Sequence, residues 1–349
     1  MRVAGLFSGA GGLDRGFEQA GFNLVWANEY DKDIWETFER NHPHTVLDRR
    51  SIVKIPSTEV PDDLDGIIGG PPCQSWSEAG ALRGISDHRG QLFFEFIRLL
   101  ADKQPKFFLA ENVSGMLAPR HSKALATIKQ LFSEAGVHGY NLSFKLVNAA
   151  DFGVPQDRFR VFFVGYRTDL GIKFNFPDQK HPKVTLIDAI ADLQTTAIPA
   201  SQKNSSNVSV CAVPNNEYMT GGFSTIFMSR NRVRSWDEPS FTIQAGARHA
   251  PLHPQAPKMI TVGKDTKQFV PGKENLYRRL SVRECARIQT FPDDFVFCYK
   301  SIAAGYKMIG NAVPVNLAKA LASQIFKDLS ECTIASVTTD HHSRQQLAQ

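Results

Sequence analysis

The chain has 349 residues, 42% of them hydrophobic and 21% charged. That is ordinary globular composition, which excludes a disordered chain, a collagen-like repeat or a disulfide scaffold, and at about 150 residues per domain the length fits about two domains. The formal net charge is +5, but residues 220–290 hold twelve Lys/Arg against five Asp/Glu, a local +7, which leaves the rest near −2. Such an asymmetry fits a solvated charged face and is also the electrostatic footprint of a phosphate-backbone binder.

Short apolar runs alternate with helical patterns through the first half. Val3 to Phe7 reads as a strand that ends in the loop Ser8-Gly9-Ala10-Gly11-Gly12, and a helix follows up to Gly21. Strands are expected near residues 24–28, 65–68 and 107–110, helices over 92–100 and 123–132, and a late strand pair near 145–148 and 161–166. Strands alternating with helices imply an α/β, doubly wound, mostly parallel sheet. After about Pro177 the prolines and Asn/Ser clusters predict a smaller irregular domain. The expected division is residues 1–178 plus 304–329 for the first domain and 179–303 for the second. A helix is expected over 315–329, and the polar residues 330–349 read as a flexible, frayed tail.

No apolar stretch approaches the roughly eighteen residues of a membrane span, and Met1-Arg2-Val3-Ala4-Gly5 shows no apolar signal region, so neither a membrane nor a secreted protein is expected. Cys73, Cys211, Cys285, Cys298 and Cys332 form no CxxC pair. Neither a metal site nor a disulfide framework is expected, and a reducing cytoplasm fits.

The glycine loop follows the first strand and opens the first helix, where a doubly wound fold binds nucleotide-like ligands. Glu29 ends the second strand, twenty residues after Gly9, the usual place for a carboxylate that accepts from ribose hydroxyls. The loop is neither GxGxxG nor a P-loop, which suits an adenosine ligand without phosphates, S-adenosylmethionine being one. Phe7 is placed to pack beside the adenine. A second constellation starts at Gly69-Gly70-Pro71-Pro72-Cys73, where two glycines and two prolines would hold Cys73 on a stiff turn at the carboxyl edge of the sheet. A cysteine held so is a candidate nucleophile. Glu111 ends another strand at the same edge, and Arg158 and Arg160 share a face of an extended segment, because side chains alternate with period two.

Taken in order, Phe7 to Gly12, Asn28-Glu29-Tyr30-Asp31, Gly70 to Gln74, Glu111-Asn112-Val113, Gln156 to Arg160 and Gly310-Asn311-Ala312-Val313-Pro314 resemble the blocks of the cytosine-C5 DNA methyltransferases across nearly all of residues 1–325. The resemblance implies the class I S-adenosylmethionine-dependent, Rossmann-like fold and methylation of C5 of cytosine in double-stranded DNA, with the base flipped out of the stack. It implies Cys73 as nucleophile on C6, Glu111 as the acid at N3, Arg160 as donor to O2, and Arg158 as a supporting cation for the same pocket or for a phosphate. It implies an S-adenosylmethionine site of Phe7, Ala10, Gly12, Glu29, Tyr30, Ile52, Pro72, Leu92, Asn311 and Val313, with no metal. Residues 75–89 read as a lid closing on DNA. The family usually has Asp immediately before Ile52. Ser51 stands there in this chain, which predicts weaker cofactor binding unless Asp48 substitutes.

The region between the Arg160 and Arg279 blocks selects the target in this family. Arginine reads guanine O6 and N7, so Arg230, Arg232, Arg248 and Arg234 are the expected base contacts, in that order. Residues 226–236, 242–255 and 277–287 resemble the bacterial restriction–modification enzymes that methylate the inner cytosine of GGCC. That resemblance implies a bacterial protein with a cognate restriction endonuclease linked genetically and not as a complex, and one base per strand visit makes a cytoplasmic monomer the expected form. The alternatives are a catalytically weak or inactive DNA-binding relative and a tRNA cytosine-C5 methyltransferase. The long Arg-rich region argues against the tRNA enzyme.

Overall fold

In a computed structural model of the chain, the described residues are 1–72, 88–178 and 182–346, with side chains described except at 88–90 and 334–346. Seven strands, β1 (Arg2–Leu6), β2 (Asn23–Asn28), β3 (Val46–Asp48), β4 (Gly66–Gly69), β5 (Phe107–Val113), β6 (Tyr140–Asn148) and β7 (Phe159–Arg167), form one sheet in the order β3-β2-β1-β4-β5-β7-β6. The pairs among β1 to β5 are parallel, and β7 runs antiparallel to both β5 and β6. This is the expected doubly wound, mostly parallel sheet. The expected late strand pair closes one side of it as a hairpin-like edge.

Period-two burial builds a core on each face. Phe107 and Leu109 of β5 point to one side with Phe17 of α1 (Gly12–Gln19), while Phe108 and Ala110 point to the other. The second face is covered by α3 (His88–Lys103) and α4 (Ser122–Ser133), through Phe96, Leu99, Ile128 and Phe132. Each fully buried Phe or Leu contributes about 1.5–3 kcal/mol. In the sheet-forming first half, α2 (Trp35–Asn41) and the three-residue β3 have no counterpart in the sequence reading. α2 is mostly polar and buries only Thr37 and Phe38, which leaves too short a period to read.

The region after Pro177 is irregular, as expected. It holds the short α5 (Leu186–Ile190), two-stranded pairs β8 (Ile198–Pro199) with β9 (Glu217–Tyr218) and β10 (Ile260–Gly263) with β11 (Thr266–Gln268), and many single turns. The helix α6 (Val282–Ile288) opens on a capping box in which Ser281 Oγ accepts from the Glu284 N–H and Glu284 accepts from the Ser281 N–H. The helix α7 (Ile302–Asn311) packs with α5 and α6 around Tyr306, Cys285 and Ile190.

The final helix differs from expectation. α8 runs Val315–Gln346 where residues 315–329 were expected, so the frayed tail is corrected to helix as far as Gln346. No glycine or proline follows Pro314, so nothing in the chain stops the helix once Leu317, Leu321, Ile325 and Leu329 have packed on the sheet.

Candidate active site

In an α/β sheet, ligands bind beyond the carboxyl ends of the strands where the strand order reverses. Here that point lies between β1 and β4. A cavity of about 410 Å³ opens there, walled by the ends of β1 (Leu6 to Gly9), β4 (Ile68 to Pro72) and β5 (Glu111 to Val113), and by Gly310 to Val313 after α7. Its size suits a small molecule or cofactor.

The loop after β1 is shaped by backbone and by one carboxylate. Phe7 has φ +55°, a left-handed conformation that is uncommon for a bulky residue and concentrates at functional sites. Gly9 and Gly11 also take positive φ, which glycine adopts without a Cβ penalty. Glu29 accepts from the Gly9 N–H at 2.9 Å and from the Asp31 N–H at 2.7 Å. Burial raises its pKa, and the two backbone donors pull it back. Glu29 therefore pins the loop to β2 while keeping acceptor capacity facing the cavity.

Across the cavity, Glu111 meets Arg160, with Nε 2.8 Å from Oε1 and both side chains mostly buried. Burial pushes the Glu111 carboxyl up, and the Arg160 and Arg158 charges lower it. The raised direction fits a carboxyl that carries a proton when it works. Asn112, unassigned in the sequence reading, is 7% exposed and donates from Nδ2 to the Pro71 carbonyl at 2.9 Å. It fixes the Gly-Gly-Pro-Pro turn against β5.

Of the expected cofactor residues, Phe7, Gly12, Glu29, Pro72, Asn311 and Val313 line this cavity together. Ala10 and Ile52, each 1% exposed, are packed into apolar clusters instead, and Leu92 packs against the α3 side of the sheet. Tyr30 is 71% exposed and is not among the residues that line the cavity. Asp14, Asp31 and Lys307 also line the cavity and were not singled out. Asp14 is buried in α1 with Oδ2 unpartnered, and its carboxyl is pushed up to about 6 by burial. An Asp just inside a helix reads as an ordinary first-turn charge, which hid it. Asp48 is engaged by the Arg50 guanidinium at 2.6 Å and by the Arg50 N–H at 3.0 Å, so it is not free to replace the family carboxylate at Ser51.

Cys73 and residues 75–87 lie outside the described residues, and residues 88 and 89 of the expected lid are the first of α3. The other four cysteines carry free thiols, and none lines the cavity. Burial pushes the Cys285 thiol well up and Cys211 up to about 11, which makes both poor nucleophiles.

Three of the residues expected at contacts have partners within the fold. Arg158 is 1% exposed, lines the cavity and donates to the carbonyls of Ile243, Gly310 and Ala312, each at 3.0 Å, so it is held within the fold beside Glu111. Arg232 is 7% exposed, donates to the Phe227 and Ile226 carbonyls and lies over the Phe227 ring. Arg234 is paired with Asp157 and Glu238 and covers Phe241. Both are committed within the fold rather than offered to bases. Arg230 and Arg248 are exposed and form no hydrogen bond or ion pair with the described residues. Arg230 rims a second cavity of about 200 Å³ with Asn231, Gln244 and His249.

A glycine loop, a pinned carboxylate and a buried acid–guanidinium pair around one cavity at the sheet's switch point define a doubly wound α/β protein of the small-molecule-binding class. The family model described as C-5 cytosine-specific DNA methylase matches residues 1–327. Type II methyltransferase M.FnuDI of Fusobacterium nucleatum is 58% identical over 334 residues, covering 95% of this chain and 96% of its own. Type II methyltransferase M.NgoPII of Neisseria gonorrhoeae is 58% identical over 333 residues, covering 94% and 96%. Among solved structures, one described as a DNA modification methyltransferase encoded within an E. coli prophage superposes with a TM-score of 0.69 at 25% identity, covering 95% of this chain and 99% of its own. The chain belongs to the C-5 cytosine-specific DNA methylase family and is a DNA (cytosine-5-)-methyltransferase. No helix among the described residues is long and apolar enough to cross a membrane.

Proposed function

We propose that the protein transfers the methyl group of S-adenosylmethionine to C5 of a flipped cytosine in double-stranded DNA, the inner cytosine of GGCC, as the modification half of a bacterial restriction–modification pair. The observation that carries this reading is that the Glu111–Arg160 pair and the Glu29-pinned loop share one cavity. A monomer suffices for one base at a time. Residues 1–178 with 304–329 would supply catalysis and cofactor binding, and 179–303 recognition. The separate small core of Phe227, Val233, Leu252, Met259 and Tyr277 supports that division.

The cavity fits the cofactor chemically. Glu29 offers a buried carboxylate for ribose hydroxyls, Phe7 an aromatic wall, and the loop amides donors for a carboxylate. Bound there, S-adenosylmethionine supplies an electrophilic sulfonium methyl group. Cys73, next after Pro72 in the chain, adds as thiolate to C6, which makes C5 nucleophilic. Glu111 holds a proton at N3 and Arg160 donates to O2, so the charge that builds on the ring is met by groups already in place. After transfer a base takes the C5 proton and the C6–S bond breaks, which restores the thiolate. Of the four arginines expected at bases, Arg230 and Arg248 are the two left unpaired among the described residues and offered to DNA, and roughly half of such contacts go to phosphate. Ser51 in place of the family Asp keeps cofactor affinity low, and Ser51→Asp is expected to raise it.

The test is label transfer from tritiated S-adenosylmethionine to duplexes carrying GGCC or a scrambled site. Label on GGCC alone is expected. Label on neither ends the enzymatic reading, and equal label on both ends the GGCC reading. A 5-fluorocytosine duplex should trap a covalent adduct that Cys73→Ser abolishes.

A further inference from the structure

Three buried polar side chains form a strut that the mechanism above does not use. Gln156 and Gln289 are fully buried and Arg158 is 1% exposed. The Ile243 N–H donates to Gln156 Oε1 at 2.8 Å, and Gln156 Nε2 donates to Gln289 Oε1 at 2.8 Å. Gln289 Nε2 then donates to the carbonyls of Ile309 at 2.8 Å and Ala312 at 3.1 Å. Arg158 bridges the same two ends, from the Ile243 carbonyl to those of Gly310 and Ala312. One end of the strut is the segment that leads to exposed Gln244 and Arg248. The other is the wall of the cofactor cavity, which includes Asn311 and Val313. The two ends also touch directly: a Cβ at Gly310 would stand 2.3 Å from the Ala245 nitrogen, so only glycine fits there.

We propose that Gln289 and Gln156 are positioning residues that lock residues 309–313 of the cofactor wall to the recognition segment at Ile243, so that cofactor and DNA bind cooperatively. The proposal rests on the functional reading above. A primary amide is required at position 289 because the side chain accepts once and donates twice there. A carboxylate cannot donate, and a thioether does neither well. Every bond in the chain is buried, so a break leaves a buried polar group without a partner. A close-packed contact with no slack passes a displacement on rather than absorbing it. DNA that fixes the recognition segment therefore fixes the cofactor wall, and by linkage the cofactor returns the same factor to DNA.

The experiment is calorimetric binding of S-adenosylhomocysteine with and without a GGCC duplex. In the wild type the duplex is expected to tighten binding by about tenfold, within the usual range of such couplings. Gln156→Met leaves Gln289 on the wall but cuts its link to Ile243. It should keep duplex-free affinity within about twofold and reduce the tightening to about twofold or less. Gln289→Met should weaken duplex-free binding as well, because the wall itself loses two donors. Tyr140→Phe removes a hydrogen bond to the Pro105 carbonyl elsewhere in the sheet and controls for general destabilisation. It should keep the full tightening at whatever Tm it shows. Undiminished tightening in a folded Gln156→Met protein overturns the proposal, as does a wild type that binds both ligands independently. If Gln156→Met does not fold, Gln156→Leu serves with the same two outcomes, because it fills much of the same volume and cannot donate to Gln289. A wild type that binds S-adenosylhomocysteine but no duplex overturns the functional reading instead.

Discussion

The carboxyl edge of the sheet and the recognition region use arginine in opposite ways. At the sheet edge most of the backbone is satisfied by its ladders, and Arg160, whose Nη1 also donates to the Phe159 carbonyl, turns its Nε to a carboxylate in the cavity. In the recognition region there are few ladders, and buried guanidinium groups take over that work. Arg232 donates to the Phe227 and Ile226 carbonyls, Arg279 to Gly221 and Gly222, and Arg283 to Pro214 and Phe295. A guanidinium brings five donors in a rigid fork, which suits carbonyls left unpaired by irregular chain. A surplus of arginines in a sequence therefore overstates the surface offered to phosphate. Part of the +7 over residues 220–290 is internal scaffolding.

The contrast is sharpest where one charge is removed from each region. Glu111→Gln keeps the shape and a hydrogen bond to Arg160 but loses the proton that the reaction needs. It should lower kcat by about 10²–10⁴-fold with little change in S-adenosylhomocysteine binding, read by label transfer and calorimetry. A loss of only a few fold would remove Glu111 from the chemistry. Arg232→Ala should instead act on folding and cost about 3 kcal/mol by leaving two carbonyls and a cavity behind, read in urea melts. An unchanged melt with poorer DNA binding would return Arg232 to the base-reading set.

Asp14 tests the sheet side by pH. Its carboxyl lies at about 6, above the usual value of 3.8, so the wild type has this contribution in full below about pH 4 and loses it as pH rises through 6. Asp14→Asn should remove that slope and gain on the wild type by up to about 3 kcal/mol at pH 8, at about 1.36 kcal/mol per unit. Parallel melts at pH 4 and 8 read it, and equal slopes would show that the carboxyl is not buried in solution. The smallest effect is expected at the exposed cations. Arg248→Ala and Arg230→Ala should each weaken GGCC duplex binding by about 1–2 kcal/mol and leave the melt unchanged. If either variant unfolds early, the split between scaffolding and reading arginines fails.

Legibility followed periodicity. β5 and β7 carry continuous apolar runs, as strands buried on both faces do, and α4 repeats at helical spacing, so their places and types were readable. Glu29 and Glu111 were readable as residues of the cavity wall because each stands near the carboxyl end of a strand, at the edge where ligands bind. α2, β3 and α6 were not. The first two are short and partner-dependent, and the third was announced only by the Ser281–Glu284 capping pair. Of the four arginines expected at bases, spacing could not separate exposed Arg230 from buried Arg232, because two residues apart in irregular chain fixes no common face.

The sequence by itself determined the doubly wound order of elements, the glycine loop, and the carboxylates at the strand ends, because these follow from local pattern and chain direction. Only the tertiary structure decided which cations are spent and which are offered. It alone placed Ala10 and Ile52 in apolar clusters and joined Gln156 to Gln289 across 133 positions. Burial and hydrogen-bond partners are properties of neighbours brought together by the fold, and neighbours distant in sequence leave no mark in a local pattern.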